Sequence, residues 1–168
     1  MTALPLAEWR DFYVMIGTAA GVIVGATFIV ATLASGLEKR SLGLRGFITP
    51  TAVHLGSVLL GSAILAVPTL SPLAFAILLG AGGISGAIYG VVVATRIWHM
   101  KLDRDDRVFY VILPILTYSG MAAAAFMALE PGMPTLETLA AVQVLLLVIG
   151  MRNSWDMATF MITLEKEN

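Results

Sequence analysis

Residues 46–95 form the longest stretch of the chain without a charged side chain: GFITPTAVHLGSVLLGSAILAVPTLSPLAFAILLGAGGISGAIYGVVVAT. Its 50 residues include no Asp, Glu, Lys or Arg. One helix needs about 20 apolar residues to cross the hydrocarbon core of a bilayer, so this stretch has the length of two spans. A turn signal with two prolines, Pro68-Thr69-Leu70-Ser71-Pro72, lies near its middle. We therefore predict a transmembrane helical hairpin on which the other helices pack.

The composition of the whole chain also favours a lipid-embedded protein. Of its 168 residues, 58% are hydrophobic and 12% are charged, whereas a typical soluble domain is about 25% charged. The net charge of −1 provides no basic face for a nucleic acid. The chain has no cysteine, which excludes disulfides, thiolate metal sites and a cysteine nucleophile.

Charged loops and proline-rich breaks divide the chain into five apolar segments. The sequence predicts an all-α integral membrane helical bundle, one transmembrane domain over residues 1–168, with spans at about 12–37, 48–67, 73–97, 108–129 and 135–164. Pro114 lies inside the fourth span and is expected to loosen that helix locally. Only Thr138 to Met151 is free of charge in the fifth span, so that helix must continue past Arg152 to cross the core.

The distribution of basic residues predicts the orientation of the bundle. With five spans, nine of the ten Lys and Arg residues fall on one side of the membrane and only Arg10 falls on the other. Basic loops remain in the cytoplasm, so we predict that the N-terminus is outside and the C-terminus inside. The nine residues are Lys39, Arg40, Arg45, Arg96, Lys101, Arg104, Arg107, Arg152 and Lys166.

Glycines spaced four residues apart share one helix face in the first and third spans. Small residues at this spacing let helices approach closely in lipid, where no hydrophobic force drives helices together. Two interpretations stay open: packing inside one protomer, with span 1 on span 3 or 4, and an oligomer interface or glycine-lined pore wall. The candidate packing residues are Gly17, Gly21, Gly25, Gly82, Gly86 and Gly90.

His54 is the imidazole that the spans place within the membrane. Ionisable groups at that depth often mark functional sites, and Thr51 and Ser57 are partners at helical spacing. Two interpretations stay open: a neutral histidine hydrogen-bonded to a neighbouring helix, and a proton or ion site. No second His, Asp or Glu lies nearby in sequence, so no metal site is predicted.

A second polar group lies in the last span, where Arg152 and Asp156 are four residues apart and can form an ion pair. In one interpretation the pair lies at the membrane boundary beside Trp155, a residue typical of membrane interfaces. In the other, the pair belongs to a polar site in the bundle interior near His54.

No sequence motif indicates catalysis. The chain contains no P-loop, HExxH or dinucleotide-binding motif and no evident Ser-His-Asp arrangement. We expect no catalytic residue, no cofactor and a non-enzymatic accessory or structural subunit that packs with itself or with a larger membrane complex. The alternative is a homo-oligomeric channel or small carrier with a polar site near His54 and Arg152/Asp156. The expected partners are the lipid bilayer and a second copy or another membrane protein.

Two segments carry a family resemblance. WRDFYVMIGTAAG at residues 9–21 precedes and opens the first span, and GMRNSWDM at residues 150–157 lies near the end of the chain. Both resemble segments of a group of small uncharacterised bacterial integral membrane proteins. The resemblance implies a multi-pass bundle in the bacterial inner membrane, and it implies no particular activity.

Overall fold

The computed structural model describes residues 5–34, 41–97, 103–130 and 132–166. Within these ranges every regular element is helical, which confirms the all-α prediction. The elements are α1 (Leu6–Ala34), α2 (Ser41–Leu65), α3 (Pro72–Ile97), α4 (Arg104–Arg107), a π-helical turn (Val108–Ile112), α5 (Leu113–Met127) and α6 (Thr135–Lys166).

Among the residues that the structure describes, four helical segments are long and apolar enough to cross a membrane, whereas the apolar part of α2, Thr49–Leu65, is shorter. The four segments are Leu6–Val30, Pro72–Ile97, Arg104–Met127 and Thr135–Thr159. Large apolar side chains cover the outside of the bundle, including Val22, Phe28, Leu60, Ile88 and Leu116, and each is more than half exposed. An apolar exterior of this kind is suited to contact with lipid chains.

Helix α6 is the element on which most of the bundle packs. It contacts α1, α2, α5 and the π-helical turn. Its inward stripe consists of Leu139, Gln143, Leu146, Gly150, Asn153 and Met157, all of them buried. These positions recur every three or four residues, which is the period of one helix face. As predicted, α6 continues well past Arg152.

Helices α2 and α3 do not form the close hairpin that residues 46–95 suggest. The two helices contact each other only weakly, since α3 packs mainly on α5 and α2 packs mainly on α1 and α6. The cause is the close approach of α3 to α5 at Gly83. A Cβ atom on Gly83 would lie 2.5 Å from the backbone nitrogen of Ala122 and 2.8 Å from the carbonyl oxygen of Tyr118.

The glycines of the third span take different positions around this contact. Gly86 lies under the ring of Tyr118 and Gly90 lies against Ile115, so both face α5. Gly82 is only half buried and contacts the methyl group of Met121. The backbones of α3 and α5 approach most closely at Gly83, which does not belong to the four-residue repeat of Gly82, Gly86 and Gly90.

The glycines of the first span face α2 rather than the third or fourth span. Gly17 lies against Ser62 and Gly21 lies near Leu59. A Cβ atom on Gly25 would meet no neighbouring atom within 4 Å, so this glycine does not contribute to the contact. Helix α1 also packs on α6, where the Tyr13 hydroxyl donates to the carbonyl of Leu136 at 2.7 Å.

The fourth span has the irregularity expected near Pro114. The π-helical turn Val108–Ile112 lies just before this proline and links α4 to α5. Proline has no N–H to donate to the carbonyl four residues earlier, so a regular helical hydrogen bond is missing at this point. A widened turn is a common way for a helix to accommodate such a break.

Replacing Gly83 with alanine tests the contact between α3 and α5. We expect Gly83→Ala to lower the free energy of unfolding by about 1–3 kcal/mol, because the new methyl group overlaps backbone atoms that cannot rotate away. Equilibrium unfolding in mixed detergent micelles measures the change. The matched control is Gly25→Ala, which adds the same methyl group in open space and should leave stability unchanged or slightly raised. Equal stabilities of the two variants would contradict the close approach.

Candidate functional site

His54 lies in the interior of the bundle, where it meets a tyrosine from a distant part of the chain. Its side chain is 1% exposed, and its Nδ1 atom lies 3.1 Å from the hydroxyl of Tyr118 on α5. Tyr118 is fully buried and lies 2.9 Å from Ser57 Oγ. The structure therefore joins His54 to Ser57 through Tyr118. Thr51, the other partner suggested by spacing, is also buried.

The direction of this hydrogen-bond chain follows from its last member. Ser57 Oγ lies 2.8 Å from the carbonyl oxygen of Val53, which can only accept, so the single serine proton is donated there. Tyr118 must then donate its single proton to Ser57, and His54 must donate from Nδ1 to Tyr118. A neutral His54 is therefore the Nδ1–H tautomer, with a lone pair on Nε2. That atom is buried and has no hydrogen-bond partner among the described residues.

This direction is the reverse of what a serine nucleophile requires. A nucleophilic hydroxyl gives its proton to a base such as histidine, whereas Ser57 gives its proton to a backbone carbonyl. These hydrogen bonds instead hold the side chains of His54, Tyr118 and Ser57 in one arrangement. Ser57 Oγ, which accepts one hydrogen bond from Tyr118, retains a second lone pair.

A groove with a volume of about 380 Å³ opens between α2 and α3, where the two helices separate. Its volume lies within the range of about 300–1,000 Å³ that is common for ligand sites. Three hydroxyl-bearing residues line one end of the groove: Ser57, Ser85 and Tyr89. They lie at a similar height along the bundle. Gly86, next to Ser85, lies against the ring of Tyr118, and the hydroxyl of Tyr118 donates to Ser57. The other end is apolar and is lined by Leu60, Ile64, Leu78 and Leu79.

Two buried amides on α6 add polar groups to the core. Gln143 and Asn153 are both 0% exposed, and their amide atoms have no hydrogen-bond partner among the described residues. The Gln143 amide lies where a Cβ atom of Gly61 would otherwise be. Gly61 also lines the groove, so this amide lies directly behind the groove wall.

The Arg152–Asp156 ion pair predicted from spacing is present, with 3.6 Å between the guanidinium and carboxylate groups. Each side chain is about one third exposed, at 33% and 34%. The Arg152 guanidinium lies 4.3 Å from the centre of the Phe109 ring, and Trp155 is 70% exposed. Among the contacts of the described residues, none joins this pair to His54. The structure thus places the two predicted polar groups in separate environments.

Tyr118 is the site residue that the sequence analysis did not identify. It has a detectable signal, because tyrosines of membrane helices concentrate at the two interfaces and Tyr118 lies in the middle of its span. Its pairing with His54 is not detectable, since 64 positions separate the two residues. Within the described part of the chain, no group of three His, Cys, Asp or Glu residues could hold a metal ion.

Comparison of the chain with protein-family models, curated proteins and solved structures gives no match. The features of the molecule that bear on its function are therefore the groove and the hydrogen-bonded residues His54, Tyr118 and Ser57.

The tautomer of His54 is directly measurable, because the sequence has only two histidines. We expect ¹⁵N NMR of histidine-labelled protein to show one ring protonated at Nδ1 and unprotonated at Nε2, with the signal assigned through its loss in His54→Gln. Tyr118→Phe removes the acceptor of the Nδ1 proton and should abolish this tautomer preference.

Tyr89→Phe is the matched control for this measurement. It removes a hydroxyl from α3 but leaves the chain from His54 to Ser57 intact, so the Nδ1–H signal should persist. An Nε2–H signal in the unmodified protein would show that the deduced direction is wrong.

Proposed function

We propose that the chain is a non-enzymatic membrane protein that binds a membrane-dissolved molecule in the groove between α2 and α3. It would act as a small carrier with its polar site at His54, Tyr118 and Ser57. The observation that supports this most strongly is the groove itself, which opens on the side of the bundle and ends at hydroxyl groups backed by the His54–Tyr118 chain.

The depth of the polar end favours a specific occupant over a bilayer lipid. Tyr118 is 11 residues beyond Arg107 in the same span, which corresponds to about 16 Å along a helix. That is about half the thickness of a 30 Å hydrocarbon core. Phospholipid headgroups remain at the interface, whereas polar groups held at mid-depth are costly and usually functional. The groove therefore suits a molecule that carries its own polar group into the membrane interior.

The proposal includes five spans in a bacterial inner membrane, with the N-terminus outside and the C-terminus inside. Four long apolar helices support the membrane location, and the full length of α2, Ser41–Leu65, gives it the length of a fifth span. The orientation is supported by Arg96, in the last turn of α3, and by Arg104 and Arg107 in α4, since these basic residues follow one span and precede the next.

Single cysteines test this orientation, because the chain has none of its own. Thr69 and Asp103 are both exposed and lie at opposite ends of α3. In intact cells we expect a membrane-impermeant maleimide to label Thr69→Cys, and to label Asp103→Cys only after the membrane is opened. The reverse pattern would overturn the orientation, and labelling of both positions in intact cells would overturn the five-span arrangement.

A second candidate function is an accessory or structural subunit that packs with itself or with a larger membrane complex. It is favoured by the small residues on the two groove walls, which are Ser57 and Gly61 on α2 and Gly82 and Gly86 on α3. Pairs of small residues four apart are typical of helix–helix contacts in membranes. The homo-oligomeric channel has less support, because His54 and Tyr118 are buried inside one protomer and do not lie on a face that two copies would share.

Labelling with a groove ligand, combined with a variant whose side chain fills the groove, distinguishes the carrier from the accessory subunit. The probe is hexadecanol with a photoreactive diazirine on its chain, applied to protein in lipid nanodiscs. We expect labelling of the groove segments of α2 and α3 to saturate and to be competed by unlabelled hexadecanol. Gly82→Leu should weaken binding about tenfold or more, a loss of at least about 1.4 kcal/mol, because its side chain enters the groove without overlapping the α5 backbone.

Gly25→Leu is the matched control, since it adds the same side chain in open space on α1. It should leave the saturable labelling unchanged. The native mass of the same samples gives the oligomeric state and so tests the accessory or structural function. If the unmodified protein shows no saturable labelling and Gly82→Leu loses an oligomeric partner, the accessory function is favoured over the carrier.

A further inference from the structure

We infer that the groove between α2 and α3 selects an uncharged amphiphile whose polar end is a hydroxyl group, in preference to a ketone or an ether of the same size. The inference rests on the proposed binding function of the groove and specifies its ligand class. The hydrogen-bond donors and acceptors that remain available to an occupant of the groove determine this preference.

The two serines at the polar end offer acceptors. Ser57 gives its proton to the carbonyl of Val53, and Ser85 Oγ lies 3.1 Å from the carbonyl of Gly82, which accepts its proton. With these protons committed, each serine oxygen can only accept from an occupant. A molecule that brings no donor leaves both acceptors without a partner.

Tyr89 offers the complementary donor. Its side chain is half buried and lines the same end of the groove, and its hydroxyl makes no hydrogen bond within the described part of the chain. A phenol donates one proton and can also accept. The polar end therefore presents one donor and at least two acceptors to whatever binds there.

A hydroxyl group is the smallest uncharged group that fits this set, because it donates to a serine and accepts from Tyr89. A ketone or ether can accept from Tyr89 but cannot donate to either serine. Polar groups left unpaired in an apolar surrounding are costly, so a site built for a donor discriminates strongly against an analogue without one.

Charge complementarity narrows the class further. None of the described residues that line the groove is an Asp, Glu, Lys, Arg or His. A carboxylate or ammonium group would therefore have no countercharge in contact with it at a depth where unpaired charge is expensive. The remaining lining is aliphatic, with Met121 on the α5 side, and suits a hydrocarbon chain or ring. A long-chain alcohol or an alkyl phenol has the required chemistry.

Competition against the diazirine-labelled hexadecanol in nanodiscs tests the inference. The three competitors are hexadecanol, hexadecyl methyl ether and 2-hexadecanone, which have similar apolar chains and differ at the polar end. We expect hexadecanol to displace the probe at a concentration at least tenfold lower than either analogue. Tyr89→Phe and Ser85→Ala should each reduce this preference, and Gly25→Ala should leave it unchanged.

The outcomes separate the ligand class from the function of the groove. Saturable labelling with equal potency of all three competitors would overturn the hydroxyl preference and leave the binding function standing. A persistent preference in the Tyr89→Phe/Ser85→Ala double variant would also overturn the inference, since the preference would then arise elsewhere. Labelling that never saturates, or that Gly82→Leu does not change, would overturn the binding function itself.

Discussion

The backbone contact between α3 and α5 at Gly83 determines the arrangement of the bundle. In lipid, helices gain little from burying apolar surface against each other, so close van der Waals contact and interhelical hydrogen bonds decide which helices pair. Gly83 lets α3 reach the backbone of α5 at Ala122 and Tyr118. Helix α2 packs on α1 and α6 instead. The turn that joins α2 to α3 therefore connects two helices with different main partners, and the groove is the gap between them.

The same contact positions the polar cluster. Tyr118 belongs to the α5 segment held by α3, while His54 and Ser57 belong to α2, so the hydrogen bonds that Tyr118 accepts from His54 and donates to Ser57 join α5 to α2. Burial without partners would make these groups costly in an apolar interior. The hydrogen bonds that run from His54 through Tyr118 and Ser57 to the Val53 carbonyl satisfy most of them, and Ser57 also lines the groove.

Local features of this fold could be predicted from the sequence, whereas the pairing of its helices could not. Charge-free length predicted the helices, Pro114 predicted the irregular turn, and spacing predicted the Arg152–Asp156 pair, because each depends on residues close in sequence. The partner of His54 depends on how α2 and α5 are placed in space. Adjacency in sequence favoured a tight hairpin, and a four-residue glycine repeat cannot identify Gly83 as the point of closest approach.

Gly61 shows how the core and the groove constrain each other. On its inner side, the missing side chain leaves room for the Gln143 amide, which a Cβ atom at this position would overlap. Buried polar groups often fix the register between helices, because a shift places them against apolar side chains. A residue at position 61 that is too large for the Gln143 amide to move aside would shift α2 along α6. Ser57, four residues away on the same helix, would then move relative to Ser85 and Tyr89, and the donor and acceptor set at the polar end of the groove would be lost with it.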